Sequence, residues 1–419
     1  MAKVAVYTIG CKVNQAESEE LKSALAEHGH AVIADAAAAD LCVVNTCTVT
    51  AESDRKCRKL LRALWRRGAP SLVAAGCYAE VNPGDLEGLP GVVRVIPNAR
   101  KKDWVREILS LLPDEKDGKA EAIPHRTRAF IKVQDGCERG CSYCIVPRAR
   151  GKESSRGPAE ALRAISKCVA GGAREVVLCG VNLGRYDGGA GRDLAYLVRE
   201  VLRAGEGFRV RLSSIELEDL RTEWIEEWSR EGRVCPHLHL PLQSGDSDIL
   251  ADMGRGYGAR EYITAVEGVR EAWPCAALTT EVMVGYPGES EDAFRNTVEV
   301  LSRAMPSRVH VFRFSPRPGT AAWDRAGRPG PGCMEERSAV LRELAEEWRL
   351  RHIEEHVGAM RQLLVEKLER NAEGRTAFGT TEDFIKGTVT DPPPQVEPGH
   401  IVPVRISGVT GGRALMEAV

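Results

Sequence analysis

The chain has 419 residues, of which 28% are charged, and its formal net charge is −2 at pH 7. This length predicts about two to four domains with sizeable cores. The near-neutral charge argues against nucleic-acid binding by the protein as a whole, so any RNA contact would need a local basic patch. No apolar run approaches the roughly 18 residues of a membrane span, and the first residues resemble a strand rather than an export signal. We therefore expect a cytoplasmic protein without membrane association, whose thirteen cysteines are metal ligands or buried thiols rather than disulfides.

Residues 1 to about 112 alternate short apolar strands with amphipathic helical stretches, which predicts an open α/β layer. The predicted strands are Lys3–Thr8, Leu41–Asn45 and Leu72–Ala75. Each strand is followed by one cysteine, which gives the set Cys11, Cys47 and Cys77. Parallel strands bring such residues to one edge of a sheet, where ligands bind. Spacing alone leaves open whether these are three ligands or three core thiols, because free cysteine is a common buried residue.

A basic stripe lies within the predicted helix that spans residues 55–67. Helical spacing puts four basic residues on one face, namely Arg55, Lys59, Arg62 and Arg66. The opposite face carries Cys57, Leu61 and Leu64. A charge run of this kind is usually a solvated helix surface. The stripe has no interleaved acids, however, so we keep two interpretations: a solvated helix surface and an RNA contact.

The segment 112–119 is charged and poor in apolar residues, which predicts a linker. From residue 130 to about residue 318, strand-like segments alternate with helical stretches, a pattern that predicts right-handed parallel crossovers. The six predicted strands are Phe130–Val133, Glu175–Leu178, Arg209–Ser213, His237–Leu240, Leu278–Val284 and Val309–Phe314. A charged helix over residues 335–355 leads into short strands and Gly/Pro turns. The predicted domains are 1–118, 123–355 and 358–419.

Three cysteines in a C-x3-C-x2-C spacing, Cys137, Cys141 and Cys144, form the most informative motif. Thiols at this spacing can hold three irons of a 4Fe–4S cluster. Ordinary ferredoxin clusters take four thiolates, so one iron would stay free to chelate a substrate. A zinc knuckle is the alternative, but structural zinc needs a closed set of four ligands. No further His or Cys lies between residues 131 and 166 to complete such a set.

The residues around this motif identify a family resemblance. The stretches Phe130–Gly136 and Ile145–Gly151, together with Ser155-Arg156, resemble the methylthiotransferases, a radical S-adenosylmethionine (SAM) family that inserts sulfur and then methylates it. The resemblance covers nearly the whole chain. It implies an α/β protein with an N-terminal open α/β domain, a central partial (β/α)6 radical-SAM barrel and a C-terminal small β-barrel of the TRAM type, which binds RNA in the family.

The resemblance also implies the cofactors, which are two 4Fe–4S clusters and SAM as both radical source and methyl donor. Cys137, Cys141 and Cys144 would hold the cluster that splits SAM, and the resulting radical would take hydrogen from an adenine carbon. The residues that flank Cys11, Cys47 and Cys77 resemble the three auxiliary-cluster sites of the family. That second cluster would supply the sulfur through its free iron. Both triads are needed, since the first cluster has no sulfur to hand over.

Further candidates for SAM or substrate binding follow from the same resemblance and from strand ends. Polar residues at the C-terminal ends of strands point toward a barrel's active face. The candidates are Tyr143, Gly180, Asn182, Glu216, Gln243 and Ser244. A simple packing role for Tyr143 stays open. Arg150 and Arg156 could bind either the SAM carboxylate or an RNA phosphate through bidentate geometry.

Short motifs indicate the substrate subgroup. Gly10–Gln15 and Lys132–Cys137 resemble the methylthiotransferases that act on N6-threonylcarbamoyladenosine beside the anticodon of tRNA, whereas the isopentenyladenosine subgroup usually has Gln-Met-Asn after its first cysteine. The isopentenyladenosine and ribosomal-protein aspartate subgroups stay open as alternatives, because short motifs carry a false-positive risk. A non-enzymatic RNA-binding iron–sulfur redox sensor stays open as a further alternative. The expected partners are tRNA, an electron donor of flavodoxin or ferredoxin type, and a sulfur source.

Overall fold

The computed structural model describes residues 1–113, 127–371 and 374–419. The predicted linker, from residue 114 onward, and the boundary between the first two predicted domains lie outside these residues. Among the described helices, none combines the length and the apolar character that crossing a membrane would require.

The N-terminal part is an open parallel sheet with helices on its faces. Its elements are β1 (Lys3–Thr8), α1 (Lys12–Glu27), β2 (Ala31–Ile33), β3 (Leu41–Thr46), α2 (Ala51–Arg66), β4 (Leu72–Gly76), α3 (Cys77–Val81), α4 (Gly84–Glu87), β5 (Val92–Pro97) and α5 (Trp104–Leu109). The strand order is β2-β1-β3-β4-β5, and every pair is parallel. Two apolar clusters pack on the two faces of this sheet. The order reverses between β1 and β3, which is the switch point where doubly wound sheets bind ligands.

The central part alternates strands and helices. Its elements are β6 (Arg128–Lys132), β7 (Gln134–Asp135), α6 (Val146–Arg150), β8 (Ser154–Ser155), α7 (Pro158–Ala170), β9 (Glu175–Cys179), α8 (Leu194–Arg203), β10 (Arg209–Leu212), α9 (Thr222–Ser229), β11 (His237–His239), α10 (Ser247–Asp252), α11 (Ala259–Ala272), β12 (Ala277–Val284), α12 (Glu291–Ala304), β13 (Arg308–Arg313) and α13 (Pro331–Glu354). Strands β6, β9 and β10 form one parallel sheet, and β11, β12 and β13 form another. Parallel bridges from Val210 to Val234 and from Ser214 to His239 join the two. The result is the predicted partial barrel of six strands.

Alternation along these strands separates the outer core from the barrel interior. Successive side chains of a strand point to opposite faces. Val176 and Leu178 on β9, for example, belong to the apolar core that packs the helices against the barrel. Alternate residues of β12 and β13, among them Glu281 and His310, instead line an internal cavity of about 630 Å³. Several charged and polar side chains thus stand among apolar ones on the cavity wall, which is unusual for a structural core and typical of a binding site.

The C-terminal part is a small closed barrel. Its strands are β14 (Met360–Asn371), β15 (Gly374–Thr380), β16 (Lys386–Thr390), β17 (Ile401–Thr410) and β18 (Arg413–Ala418), in the order β14-β15-β16-β18-β17. Closure removes exposed strand edges and encloses an apolar core that includes Leu363, Val389 and Ile406. The mixed α/β fold with a C-terminal small β-barrel, expected from the sequence, is thereby confirmed.

The small barrel is fixed to the amino-terminal end of the central barrel through arginines. Arg209 donates to the Thr380 carbonyl at 2.9 Å, and Arg211 donates to the Thr381 carbonyl at 2.9 Å. Both guanidiniums also bind the fully buried carboxylate of Glu175, at 2.7 Å and 2.8 Å. Burial alone would raise the pKa of Glu175, but Arg211, Arg209 and Arg128 outweigh it and lower this pKa. Glu175 is thus ionised and balances the arginines.

We expect Glu175→Gln to lower the free energy of unfolding by about 3–5 kcal/mol, because it leaves buried arginines without their counter-charge. Urea denaturation of the purified protein measures this value. Glu227→Gln, which removes a partly exposed ion pair with Arg199, is the control and should cost less than about 1 kcal/mol. Equal losses in the two variants would contradict the importance of the Glu175 contact.

Candidate active site

The loop with the C-x3-C-x2-C motif lies between β7 and α6, beyond the carboxyl end of β6. The Cys137 N–H donates to the Gly151 carbonyl at 3.2 Å, and the Cys144 N–H donates to the Cys141 carbonyl at 3.0 Å. Gly136, just before the first cysteine, has a left-handed φ of 73°, and a Cβ there would lie 2.0 Å from the Lys152 carbonyl oxygen. Only glycine fits this approach. The loop therefore has a defined path that turns its three cysteines toward one region.

The donor set of this loop suits a metal cluster. Thiolates are soft ligands that select iron–sulfur clusters or zinc. Burial raises the pKa of the Cys144 thiol to about 12 and also raises the pKa of Cys137, so a bound metal must displace these protons. The Arg255 guanidinium lies 3.6 Å from the Cys141 Sγ and forms an ion pair with Glu216. A cation at this position stabilises charge on the sulfur.

The second triad stands at the switch point of the N-terminal sheet. Cys11 follows β1, Cys47 follows β3, and Cys77 begins the helix after β4. All three line the internal cavity described above. Fixed amides surround them, since Cys11 Sγ lies 3.5 Å from Asn14 Oδ1 and Asn98 Nδ2 donates to Cys77 Sγ at 3.3 Å. The structure thus brings together three cysteines of which the first and the last are 66 residues apart in sequence.

Neither triad is arranged around a single ion. Within residues 1–113, 127–371 and 374–419, no three His, Cys, Asp or Glu side chains converge on a point that could hold one metal ion. A four-iron cluster takes each of its thiolates on a different iron. Its ligands therefore stand farther apart than the four ligands of one zinc ion. The three thiol donors of each triad fit a cluster of this kind.

A buried ionic network joins the two triads. Glu17, on the helix that begins after Cys11, accepts from Arg150 at 3.2 Å and from Lys132 at 2.9 Å, and it also pairs with Lys101. Burial alone would raise the pKa of Glu17, but these three cations hold it well below its usual range. Arg150 also pairs with Asp135 at 2.7 Å. The network connects the helix after Cys11 to the strand before Cys137 and to the helix after Cys144.

These contacts give the two candidate arginines a structural role. Arg150 is buried and paired with two carboxylates, so we assign it to the contact between the two parts of the chain rather than to SAM or RNA. Arg156 pairs with Glu20 at 2.7 Å and with Glu160 at 3.2 Å. It lines a different cavity, between α1 and α7. Arg150 also lines the cavity of the second triad, but its charge is already paired with two carboxylates.

The remaining candidates divide into those that face the cavity and those that do not. Glu216 and Gly180 line the cavity. Tyr143 packs into an apolar cluster with Tyr286 and Phe314, which matches the alternative packing role. Asn182 donates from its backbone N–H to Gln134 Oε1 at 2.9 Å and from its side chain to Asp219 at 2.8 Å.

The Gln243-Ser244 pair lies at the carboxyl end of β11, as expected. Gln243 has a left-handed φ of 69° and donates from Nε2 to Glu281 Oε1 at 2.7 Å. A non-glycine residue in this conformation is strained and is often found at functional sites. The buried Ser244 hydroxyl lies 3.4 Å from Thr297 Oγ1 on α12. Ser244 therefore faces the surrounding helices, and Gln243 orients a cavity carboxylate.

The basic stripe on α2 is fully formed. Arg55, Lys59, Arg62 and Arg66 are exposed along one face, and Cys57, Leu61 and Leu64 are buried on the other. Glu52 in the first turn lies 4.0 Å from Arg55, so one acid does stand at the start of the stripe. On the other side of the helix, the buried Asp54 pairs with Arg317 of the central part at 2.6 Å. The stripe is thus held rigidly beside the central barrel.

Comparison with known proteins decides the family. Residues 131–301 match the Radical SAM superfamily, and residues 3–97 match Uncharacterized protein family UPF0004. The Thermotoga maritima protein named threonylcarbamoyladenosine tRNA methylthiotransferase MtaB is 36% identical over 87% of this chain and 87% of its own length. The Bacillus subtilis protein of the same name is 32% identical over 92% of this chain and 90% of its own. This chain belongs to the radical SAM methylthiotransferase family.

Other members of the family are nearly as similar. An Acidothermus cellulolyticus protein named tRNA-2-methylthio-N(6)-dimethylallyladenosine synthase is 32% identical over 96% of this chain and 85% of its own length. Among solved structures, the radical SAM methyltransferase TsrM from Kitasatospora setae matches with a TM-score of 0.56 at 13% identity, over 77% of this chain and 75% of that chain. This likeness shows the fold alone. Membership of the radical SAM superfamily implies SAM and one 4Fe–4S cluster.

Three residues that order this methylthiotransferase site were not anticipated from the sequence. Glu17 carries a weak signal, because it lies six positions after Cys11 on the same predicted helix. Arg255 and Asn98 carry none, since they reach Cys141 and Cys77 from 114 and 21 residues away. Contacts of this kind depend on tertiary structure, and neither local spacing nor composition indicates them.

We expect Gly136→Ala to reduce the iron bound after anaerobic reconstitution, because the added Cβ would displace the backbone beside Cys137. Gly140→Ala is the matched control in the same loop, since a Cβ there meets nothing within 4 Å. Iron per chain, measured with folded protein confirmed by circular dichroism, should fall in the first variant and stay at the wild-type value in the second. Identical iron content in all three proteins would contradict the role given to Gly136.

Proposed function

We propose that this chain is a tRNA methylthiotransferase that converts N6-threonylcarbamoyladenosine next to the anticodon into its 2-methylthio derivative. One observation carries the proposal. The cysteine triad at the switch point of the N-terminal sheet opens into the interior of the radical-SAM barrel, so both share a single cavity. The relatives named as threonylcarbamoyladenosine methylthiotransferases, at 32–36% identity, support this nucleoside.

The two triads receive separate roles. Cys137, Cys141 and Cys144 would hold the 4Fe–4S cluster that binds SAM, and Cys11, Cys47 and Cys77 would hold an auxiliary 4Fe–4S cluster. Together with SAM, the groups supply a radical able to take hydrogen from an unactivated carbon, a transferable sulfur and a methyl group. Cofactors carry chemistry of this kind, while the protein binds, orients and shields them.

The side chains of this protein perform the orienting role. Arg255 places a positive charge beside Cys141 and fixes Glu216 at the cavity wall. Asn98 donates to Cys77 Sγ and also to the Ala149 carbonyl at 2.6 Å, so one amide links the second triad to the helix after the first. Glu17 holds the two parts of the chain together. These contacts hold the second triad and the elements around the first triad in one fixed arrangement.

The tRNA would lie across two further surfaces. We assign the C-terminal barrel, as a TRAM domain, and the exposed Arg55/Lys59/Arg62/Arg66 stripe to phosphate contacts, which dominate RNA affinity. The reaction needs electrons and renewed sulfur, so a flavodoxin or ferredoxin and a sulfur source are proposed partners. A cytoplasmic location, where tRNA is modified, stays a prediction.

Isopentenyladenosine in tRNA is the strongest competing substrate, because relatives that carry the dimethylallyladenosine synthase name are 30–32% identical. A ribosomal-protein aspartate and a redox-sensing role without catalysis are further alternatives. The sensor would need clusters but no SAM chemistry, and SAM cleavage therefore separates it from the enzyme.

Replacing Cys11, Cys47 and Cys77 with Ala should remove half of the about eight irons expected for two 4Fe–4S clusters. This variant should still cleave SAM under reduction but form no methylthio product. Replacing Cys137, Cys141 and Cys144 should remove the other half of the iron and abolish SAM cleavage. Mass spectrometry of nucleosides reads the product from tRNA that carries threonylcarbamoyladenosine, isopentenyladenosine or unmodified adenosine.

The wild-type protein should add the methylthio group to threonylcarbamoyladenosine and leave unmodified adenosine unchanged. Product formation without Cys11, Cys47 and Cys77 would remove the sulfur role from that triad. A preference for isopentenyladenosine would move the chain to the sibling subgroup, and no reaction on any of the three tRNAs would favour the protein substrate.

Replacing Arg55, Lys59, Arg62 and Arg66 with Glu should weaken tRNA binding, and the loss should shrink as salt rises, because phosphate contacts act through counterion release. Filter binding at several salt concentrations measures the effect. The matched control reverses four other exposed arginines, Arg203, Arg230, Arg295 and Arg303. If the control weakens binding as much as the stripe variant does, overall charge and not this surface decides affinity.

A further inference from the structure

Three basic side chains line the wall of the cavity away from the C-x3-C-x2-C loop. Lys12 begins α1, directly after Cys11, and Arg308 and His310 alternate on β13. Their register partners on β12 are Thr279 and Glu281, which also line the cavity. The three side chains therefore face one interior space, although they come from the N-terminal sheet and from the last strand of the barrel.

These basic groups differ from the others near the site in having no acid bound to them. Arg150, Arg255 and Arg211 each pair with a carboxylate. In the described part of the chain, the side chains of Lys12, Arg308 and His310 form neither a hydrogen bond nor an ion pair. Burial and then the nearby Arg349 lower the pKa of Arg308, so its surroundings disfavour its charged form. Cations without partners inside a cavity are costly unless an anion joins them.

The acids of the cavity do not satisfy this charge. Glu216 is bound by Arg255. Glu281 accepts from Gln243 at 2.7 Å and lies 3.9 Å from His239 Nε2. Burial, followed by Arg308 and His239, lowers the pKa of His310 to about 4, so its ring is neutral at pH 7 and offers one N–H donor. The wall thus presents two basic side chains without a bound acid and one neutral donor to a ligand in the cavity.

We propose that Lys12, Arg308 and His310 form a subsite that binds the free carboxylate of the threonyl group on the substrate nucleoside. The inference rests on the proposed function. Threonine is joined to the carbamoyl group through its nitrogen, so its carboxyl stays free and is ionised at neutral pH. An isopentenyl group is a hydrocarbon and offers no acceptor. The subsite therefore selects the anionic substituent and rejects the apolar one, which would leave the cations unpaired.

The position of the subsite favours substrate over SAM, which also has a carboxylate. Arg308 is the first residue of its strand and stands at the amino-terminal end of the barrel, whereas the loop of Cys137 follows the carboxyl end of β6. Lys12 is adjacent to Cys11, so the two Cα atoms are about 3.8 Å apart. The subsite and the triad proposed to deliver sulfur therefore line the same cavity. The modified C2 is a ring carbon of the same adenine whose exocyclic N6 carries the threonylcarbamoyl group.

Kinetics on three anticodon stem–loops test the subsite. They carry threonylcarbamoyladenosine, its methyl ester, which lacks the negative charge, or isopentenyladenosine. The wild-type enzyme should have a KM for the acid about 10- to 100-fold lower than for the ester, the range of one or two charged hydrogen bonds. Lys12→Gln and Arg308→Met should bring this ratio toward one, while Lys12→Arg keeps it. Arg303→Met, an exposed arginine at the end of α12, is the control and should keep the wild-type ratio.

The outcomes separate this inference from the function on which it rests. Equal KM values for acid and ester in the wild type would overturn the subsite and leave the function standing. Faster reaction of isopentenyladenosine would overturn the function itself. An increased KM for SAM in Arg308→Met would assign the cations to SAM and also overturn the subsite. If Lys12→Gln loses iron through its neighbour Cys11, the Arg308→Met ratio decides alone.

Discussion

The buried carboxylate of Glu17 is the contact on which the arrangement of both cysteine triads depends. It stands on the helix that starts beside Cys11 and binds Arg150 and Lys132, which flank the C-x3-C-x2-C loop in sequence. A buried carboxylate is stable only when it is fully paired. The N-terminal sheet and the partial barrel must therefore dock in one register, with the switch point of the sheet against the open side of the barrel. Two separate metal-binding loops become one site through this docking.

Docking also explains why the interior of the barrel is polar. A barrel of six strands is open on one side, and α1 packs against β6 there, so Lys12 and Val13 enter the interior from another domain. The other residues of the interior come from the barrel strands. Because successive side chains of a strand point to opposite faces, every second residue of β11, β12 and β13 must face this space. These positions carry histidines, Thr279, Glu281 and Arg308, where a stable closed core would carry aliphatic residues. The chain thus gives up apolar burial at the positions where a charged substrate is to be bound.

Much of this architecture was predictable from local pattern. The strand Lys3–Thr8 has the predicted bounds, and the strands predicted at Leu41–Asn45 and Leu72–Ala75 are each one residue longer in the structure. The position of the cysteines after strands also predicted their meeting at one sheet edge, since parallel topology fixes that geometry. The partners of Arg150, Arg156 and Ser244 were not predictable. Each of these side chains is engaged by a residue at least 15 positions away, and only the docking of whole elements determines which residue that is.

The C-terminal barrel is part of the site as well as a candidate RNA-binding module. Its Phe384 adopts a left-handed φ of 70°, stacks on His237 at 4.3 Å and lines the same cavity as Cys11. Strain of this kind persists only where the surroundings determine it, and here the Arg209 and Arg211 contacts to the carbonyls of residues 380–382 hold the turn in place. The floor of the cavity therefore belongs to the small barrel. Because Phe384 stacks on His237, the position of the C-terminal barrel helps to decide the shape of the cavity.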